Sequence, residues 1–320
     1  MIDRISTVGF NASAREGNLD ILQRQIDEMI ELGVTVTELN SPSLTCISAC
    51  QLIPERVREV RALMDRYTGH RFTLHAPIPI NLMDQEAPDL HFAAAEAALE
   101  LAGELQTPVV VLHPGIVSPI LWSARSEDLL ARERDALARL GDRAVRLDVK
   151  IAYENVRPNA GVHAGTQYSY GLDPRSLARQ IAALDHPAVV ACLDINHAHQ
   201  SATWLGVDTA DLCAALAPVT NHIHFSDCSG QLQPGSVPET PEMSLWFGVG
   251  DMHVPAGWGA LPYEMLAEVL ATVQPDTAIV IEIKPIIRKQ GAVQTLASAQ
   301  AFAERINRPG IPSPLVSAAD

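Results

Sequence analysis

Residues 188–199 read AVVACLDINHAH. The first half, Ala188 to Leu193, is a short run of apolar side chains, the pattern of a buried strand. The second half turns polar at once, with Asp194 and then His197 three positions later. A strand that stops in metal-capable side chains is one unit of pattern. The fold follows from how often that unit recurs.

It recurs along the chain. ISTVGF (5–10), VTVTEL (34–39), RFTLHA (71–76), PVVVLH (108–113), KIAYEN (150–155), NHIHFS (221–226) and AIVIEIK (278–284) carry the same strand signal as AVVACLDI (188–195). Between them lie amphipathic stretches such as NLDILQRQIDEMIEL, PERVREVRALMDRY and DLHFAAAEAALELAGEL, whose apolar residues return at helical spacing. LDPRSLARQIAAL opens with an aspartate before a proline, a helix start. Strands that alternate with helices form a parallel sheet, because parallel neighbours need crossover connections. Eight such units predict an α/β fold, a (β/α)8 TIM barrel in a single domain over residues 1–307. A doubly wound sheet is the alternative, but GFNASAREGN after the first strand lacks its glycine-rich phosphate turn. The segment NRPGIPSPLVSAAD, with three prolines and no periodicity, predicts an extended tail over 308–320.

Composition narrows the function classes. At 320 residues and 47% hydrophobic content the chain can bury a large core. A formal net charge of -15 argues against a general nucleic-acid binder, which needs Lys and Arg to displace phosphate counterions. Part of that charge would be neutralised if carboxylates held metal. Five cysteines without a CxxC pair predict ordinary thiols in a reducing cytoplasm, and CISAC (46–50) has no partner pair for a zinc site. No apolar run reaches the length of a membrane span, and MIDRISTVGFNAS has no signal-peptide pattern.

In a barrel every strand end opens on the same face. The metal-capable residues fall there: His75 and His113 end the third and fourth strands, Glu154 the fifth, and Asp194 and His197 follow the sixth. His222 and His224 lie on the seventh, Asp227 follows it, Asp251 and His253 sit in the long loop beyond, and Glu282 lies near the end of the eighth. One histidine at a strand end is more often a packing or turn residue than a ligand. Acids and imidazoles at so many consecutive strand ends are another matter, because burying Glu154, Asp194 and Glu282 together without cations costs many kcal/mol or forces protonation. Nitrogen and oxygen donors without cysteine suit Zn²⁺, Mn²⁺ or Fe²⁺, with Mg²⁺ the poorest match.

These motifs resemble the xylose isomerase-like TIM-barrel superfamily, which holds sugar phosphate isomerases and epimerases and also endonuclease IV-like proteins. The resemblance runs from the first strand to the helix after the eighth. It implies a one-metal core of Glu154, Asp194, His224 and Glu282, as in the sugar epimerases. The motifs LHA, HPG, DINH and DMH resemble those of endonuclease IV, and imply further ligands at His75, His113, His197, Asp251 and His253. The HFSD motif places the seventh-strand ligand at His224 rather than His222. The resemblance thus implies a divalent-metal-dependent isomerase or epimerase of a small sugar or polyhydroxy substrate, with Glu154 and Glu282 as the catalytic proton carriers and more than one metal per chain within reach. An endonuclease IV-like phosphodiesterase is the alternative. The expected partner is a carbohydrate-like small molecule, with nucleic acid disfavoured, no membrane and a homo-oligomer left open. Asp227 is expected to orient a ligand histidine, Lys284 to form a salt bridge or face a phosphate, and Trp246, Phe247 and Trp258 either to wall the pocket or to pack in the loop.

Overall fold

The computed structural model describes residues 3–310, so residues 311–320 of the expected tail lie outside the described residues. Eight parallel strands close on one another: β1 (Ile5–Ala12), β2 (Val36–Asn40), β5 (Arg71–His75), β6 (Val109–Leu112), β7 (Lys150–Glu154), β8 (Val189–Asp194), β9 (Thr220–Phe225) and β10 (Thr277–Ile281). The short antiparallel pair β3 (Ile47–Ser48) and β4 (Gln51–Leu52) interrupts the connection after β2. β1 pairs with both β10 and β2, which completes the (β/α)8 TIM barrel.

Helices begin where the chain supplies caps. Asn18 accepts from the amides of Asp20 and Ile21 ahead of Leu19–Glu31, and Asp173 accepts from Arg175 N ahead of Pro174–Leu184. The helical segment Pro119–Leu147, kinked at the non-helical Arg125 (φ -144°), follows β6, and Arg288–Asn307 follows β10. At the end of that last helix, Asn307 clasps the first strand: its Oδ1 accepts from Ile5 N at 2.8 Å and its Nδ2 donates to Ile5 O at 3.0 Å. None of the described helices is long and apolar enough to cross a membrane.

The inner face of the barrel positions the site. Val109, Val111, Ala152, Val190 and Cys192 form an apolar cluster separate from the main core. Side chains alternate faces along a strand, so two residues further on the same face carries His113, Glu154 and Asp194. The apolar layer is therefore a floor, and the metal-capable residues stand on it. β10 ends at Ile281, earlier than the sequence pattern suggests, so Glu282 lies just past the strand. Its amide still donates to Phe225 O at 3.0 Å, which keeps it in line with β9.

Candidate metal centre

All nine residues expected at the centre meet at the barrel mouth. Glu154 is the hub, with its carboxylate facing four imidazoles. Its Oε2 lies 3.0 Å from His113 Nε2 and 3.3 Å from His75 Nε2. Its Oε1 lies 3.2 Å from His224 Nδ1 and 3.3 Å from His197 Nδ1. Two further carboxylates reach the same nitrogen of His224, Glu282 Oε2 at 3.5 Å and Asp194 Oδ2 at 4.0 Å. Beside them, Asp251 Oδ1 stands 2.8 Å from His253 Nε2 and 3.6 Å from His197 Nε2.

The backbone turns three of these rings. His75 Nδ1 donates to Ala76 O at 2.8 Å, His197 Nδ1 to Asn155 O at 3.0 Å, and His253 Nδ1 to Glu282 O at 3.0 Å. Each bond turns Nε2 into the cluster, where a bound cation could replace the proton on that nitrogen. His253 adopts φ 43°, a left-handed conformation uncommon for a non-glycine residue.

Several groupings could hold a cation, with one donor atom from each residue within 4.8 Å of the others: His75, His113 and Glu154; Glu154, Asp194 and His224; Asp194, His197 and His253. The fit has an independent sign. Asp194 Oδ2 is buried and has no hydrogen-bond partner, a costly state for a carboxylate oxygen that a cation would relieve. The residues therefore fit divalent metal, and the N/O donor set suits zinc, manganese or iron.

The charges are strongly coupled. Burial alone would raise the Glu154 carboxyl, but the imidazoles of His224, His113 and His197 outweigh it and hold it well below the usual carboxylate range. Asp251 is likewise held low against burial, by His253, Arg157 and Lys284. Asp194 goes the other way, because burial outweighs its histidine neighbours and pushes it up. Burial would lower His75, yet Glu154, Glu38 and Glu282 raise it to about 9.

One residue of the cluster was not expected from the sequence. Glu38, on β2, is fully buried and faces both His222 and His224. It sits inside its strand rather than at the end. Counting back two positions from Asn40 would have placed it on the inner face.

The other expectations divide. Lys284 does form a salt bridge, with Nζ 3.0 Å from Asp251 Oδ2, and Arg157 Nε lies 3.2 Å from Asp251 Oδ1. Asp227 touches no ligand histidine. It accepts the amides of Cys228 at 2.8 Å, Gly257 at 2.8 Å and Leu261 at 3.2 Å, so it clamps the long loop instead. Trp246, Phe247 and Trp258 are exposed at the surface, by 83, 55 and 49%. All five cysteines are free thiols, and Cys192 lies beside His222 and His224.

Comparison with known proteins bears on the family and the fold. Residues 26–305 match the family described as xylose isomerase-like TIM barrel. The protein MJ1311 of Methanocaldococcus jannaschii, itself uncharacterized, is 25% identical over 271 residues, 82% of this chain and 80% of that protein. Among solved structures, a D-tagatose 3-epimerase-like protein superposes with a TM-score of 0.68 at 23% identity, over 93% of this chain and 98% of that one. Endonuclease IV from Thermus thermophilus superposes with a TM-score of 0.57 at 22% identity, over 94% and 100% of the two chains. At these identities the two structural likenesses speak for the fold.

Proposed function

Because the chain belongs to the xylose isomerase-like TIM-barrel family, we propose that it is a divalent-metal-dependent isomerase or epimerase of a small sugar or polyhydroxy substrate. One observation carries the reading: the carboxylates of Glu154 and Glu282 converge on a single ring nitrogen of His224, at 3.2 and 3.5 Å. Isomerisation beside a carbonyl needs one group to take a proton from carbon and another to return it. Two carboxylates at one point supply that pair. The Glu282 side chain keeps 16% of its surface open to the mouth, whereas Glu154 keeps 1%. Glu282 is thus the carrier that meets substrate first, and Asn11 Nδ2 steadies its other oxygen by donating to Oε1 at 3.2 Å. Glu154, Asp194, His224 and Glu282 would hold the cation, which when bound would polarise a substrate carbonyl and its neighbouring hydroxyl. The D-tagatose 3-epimerase-like neighbour supports a carbohydrate substrate.

A second reading, an endonuclease IV-like phosphodiesterase, is favoured by the presence of His75, His113, His197, Asp251 and His253 beside that core. One experiment separates the two. The metal-loaded protein is incubated in D2O with a panel of ketopentoses and ketohexoses, and separately with a duplex containing an abasic site. Deuterium entering the carbon beside the carbonyl, and lost in Glu282→Gln, supports the first reading. Incision of the duplex without exchange on any sugar overturns it.

A further inference from the structure

Of the five histidines at the centre, His224 is turned in a way of its own. His75, His197 and His253 each donate Nδ1–H to a main-chain carbonyl and present Nε2 inward. His224 is reversed: Nδ1 faces Glu154, Glu282 and Asp194, and Nε2 faces Glu38. Its Nε2 lies 3.2 Å from Glu38 Oε1 and 3.4 Å from Oε2. Glu38 comes from β2, pairs in register with Asn11 and Thr73, and keeps only 1% of its surface. His222 Nε2 donates to its Oε2 at 2.8 Å, and Thr73 Oγ1 lies at 3.5 Å.

We propose that Glu38 is the positioning residue of the metal centre: its carboxylate accepts Nε2–H of His224, fixes that tautomer, and so presents the Nδ1 lone pair to the cation. The inference rests on the metal-dependent reading above. A main-chain carbonyl would fix the ring just as well, so the use of a carboxylate needs a reason. An ionised acceptor makes a shorter and stronger bond than a neutral one, and it raises the electron density of the nitrogen that binds metal. The converse also holds. A carboxylate taken this far from water is expensive to keep ionised, and a cation on the far side of His224 makes Nε2–H a better donor to it. Each end of the Glu38–His224 pair therefore stabilises the other.

The same geometry gives His222 a distinct task. The two histidines of the HIH sequence (222–224) are two residues apart and share the inner face of β9. His224 stands at the level of Asp194 and His222 at the level of Cys192, one layer down. His222 Nδ1 is buried without a partner, so its one polar engagement is the bond to Glu38. The upper ring meets the cation, and the lower ring holds the carboxylate that aims the upper one.

The test compares the metal-stripped, full-length wild type with Glu38→Gln and Glu38→Leu by zinc titration against a competing chelator. Glutamine keeps an acceptor for Nε2–H and loses the charge, whereas leucine removes both. Zinc affinity is expected to fall about 10-fold in Glu38→Gln and toward about 100-fold in Glu38→Leu, the range for losing such a support. Nitrogen NMR of the His224 ring in the zinc-loaded proteins adds a readout that a packing role would not move: Nε2 carries the proton bonded to Glu38 in the wild type, and its resonance shifts in the leucine variant, where that acceptor is gone. Wild-type affinity in both variants overturns the proposal. If Glu38→Leu does not fold, Glu38→Gln alone decides it. A wild-type protein that takes up no zinc, manganese or iron fails the metal reading itself, a separate and recognisable result.

Discussion

Glu154 holds four imidazoles within 3.3 Å of its oxygens, so its charge organises the centre more than that of any other single residue. Glu154→Gln keeps the shape and removes the charge. It should strip most bound divalent metal and all activity while the barrel stays folded, and Glu282→Gln should do the same. Full metal content in both variants, measured by elemental analysis, would sink the assignment. His75 gives a prediction in pH. In the metal-free protein, burial pulls it down but Glu154 and its neighbours raise it from 6.5 to about 9. Its folded value is above the ordinary one, so the stability from protonated His75 is complete below about pH 6.5 and is lost as pH rises through about 9. A cation must displace that proton. Zinc uptake should therefore release protons near neutrality, with the release shrinking above pH 9, as read with a pH indicator. A constant release across that range would exclude His75 from binding.

Among the elements, the seam between β1 and β2 leaves no room for a side chain at Gly9. Gly9 pairs with Val36, and a Cβ on Gly9 would sit 1.7 Å from Val36 O, a backbone atom that cannot swing aside. Gly9→Ala should force the two strands apart and destabilise the barrel by about 1–3 kcal/mol or more. Thermal denaturation measures this directly, and a variant that melts with the wild type would mean the seam can shift at no cost. The strands themselves were legible in the sequence because each is a compact apolar run, and all eight appear within a few residues of their expected places. The helix Pro119–Leu147 was harder to single out, because charged residues crowd its sequence and its buried stripe of Leu129, Leu137, Leu140 and Ala144 runs through a charged position, Glu133. The β3–β4 hairpin is too short to show alternation. At the site, residues at strand ends stood out because polar groups break an apolar run there. Glu38 did not, since it sits mid-strand and only its across-barrel partners reveal its purpose. Nor does sequence spacing say which ring nitrogen faces inward, for that depends on the carbonyl or carboxylate that meets the other nitrogen.

At the scale of the whole molecule, charge bears on the choice of substrate. With 38 acidic against 23 basic side chains, the surface repels a polyanion beyond the few phosphates that bound cations could offset. Salt screens this repulsion without reversing it. We therefore expect no useful cleavage of an abasic duplex, and efficient metal-dependent incision lost in Glu282→Gln would promote the phosphodiesterase reading. The closure of the barrel has a consequence in time. The nine residues at the mouth extend from His75 on β5 to Glu282 beyond β10, and β10 meets β1 only when the ring is complete. No early fragment of the folding chain can assemble the centre. A cation should then arrive after the rate-limiting step and act as a latch, slowing unfolding while leaving the refolding rate nearly unchanged. Stopped-flow measurements with and without zinc would show this as a shift in the unfolding limb alone. An equal shift in refolding would mean that part of the centre forms before the ring closes.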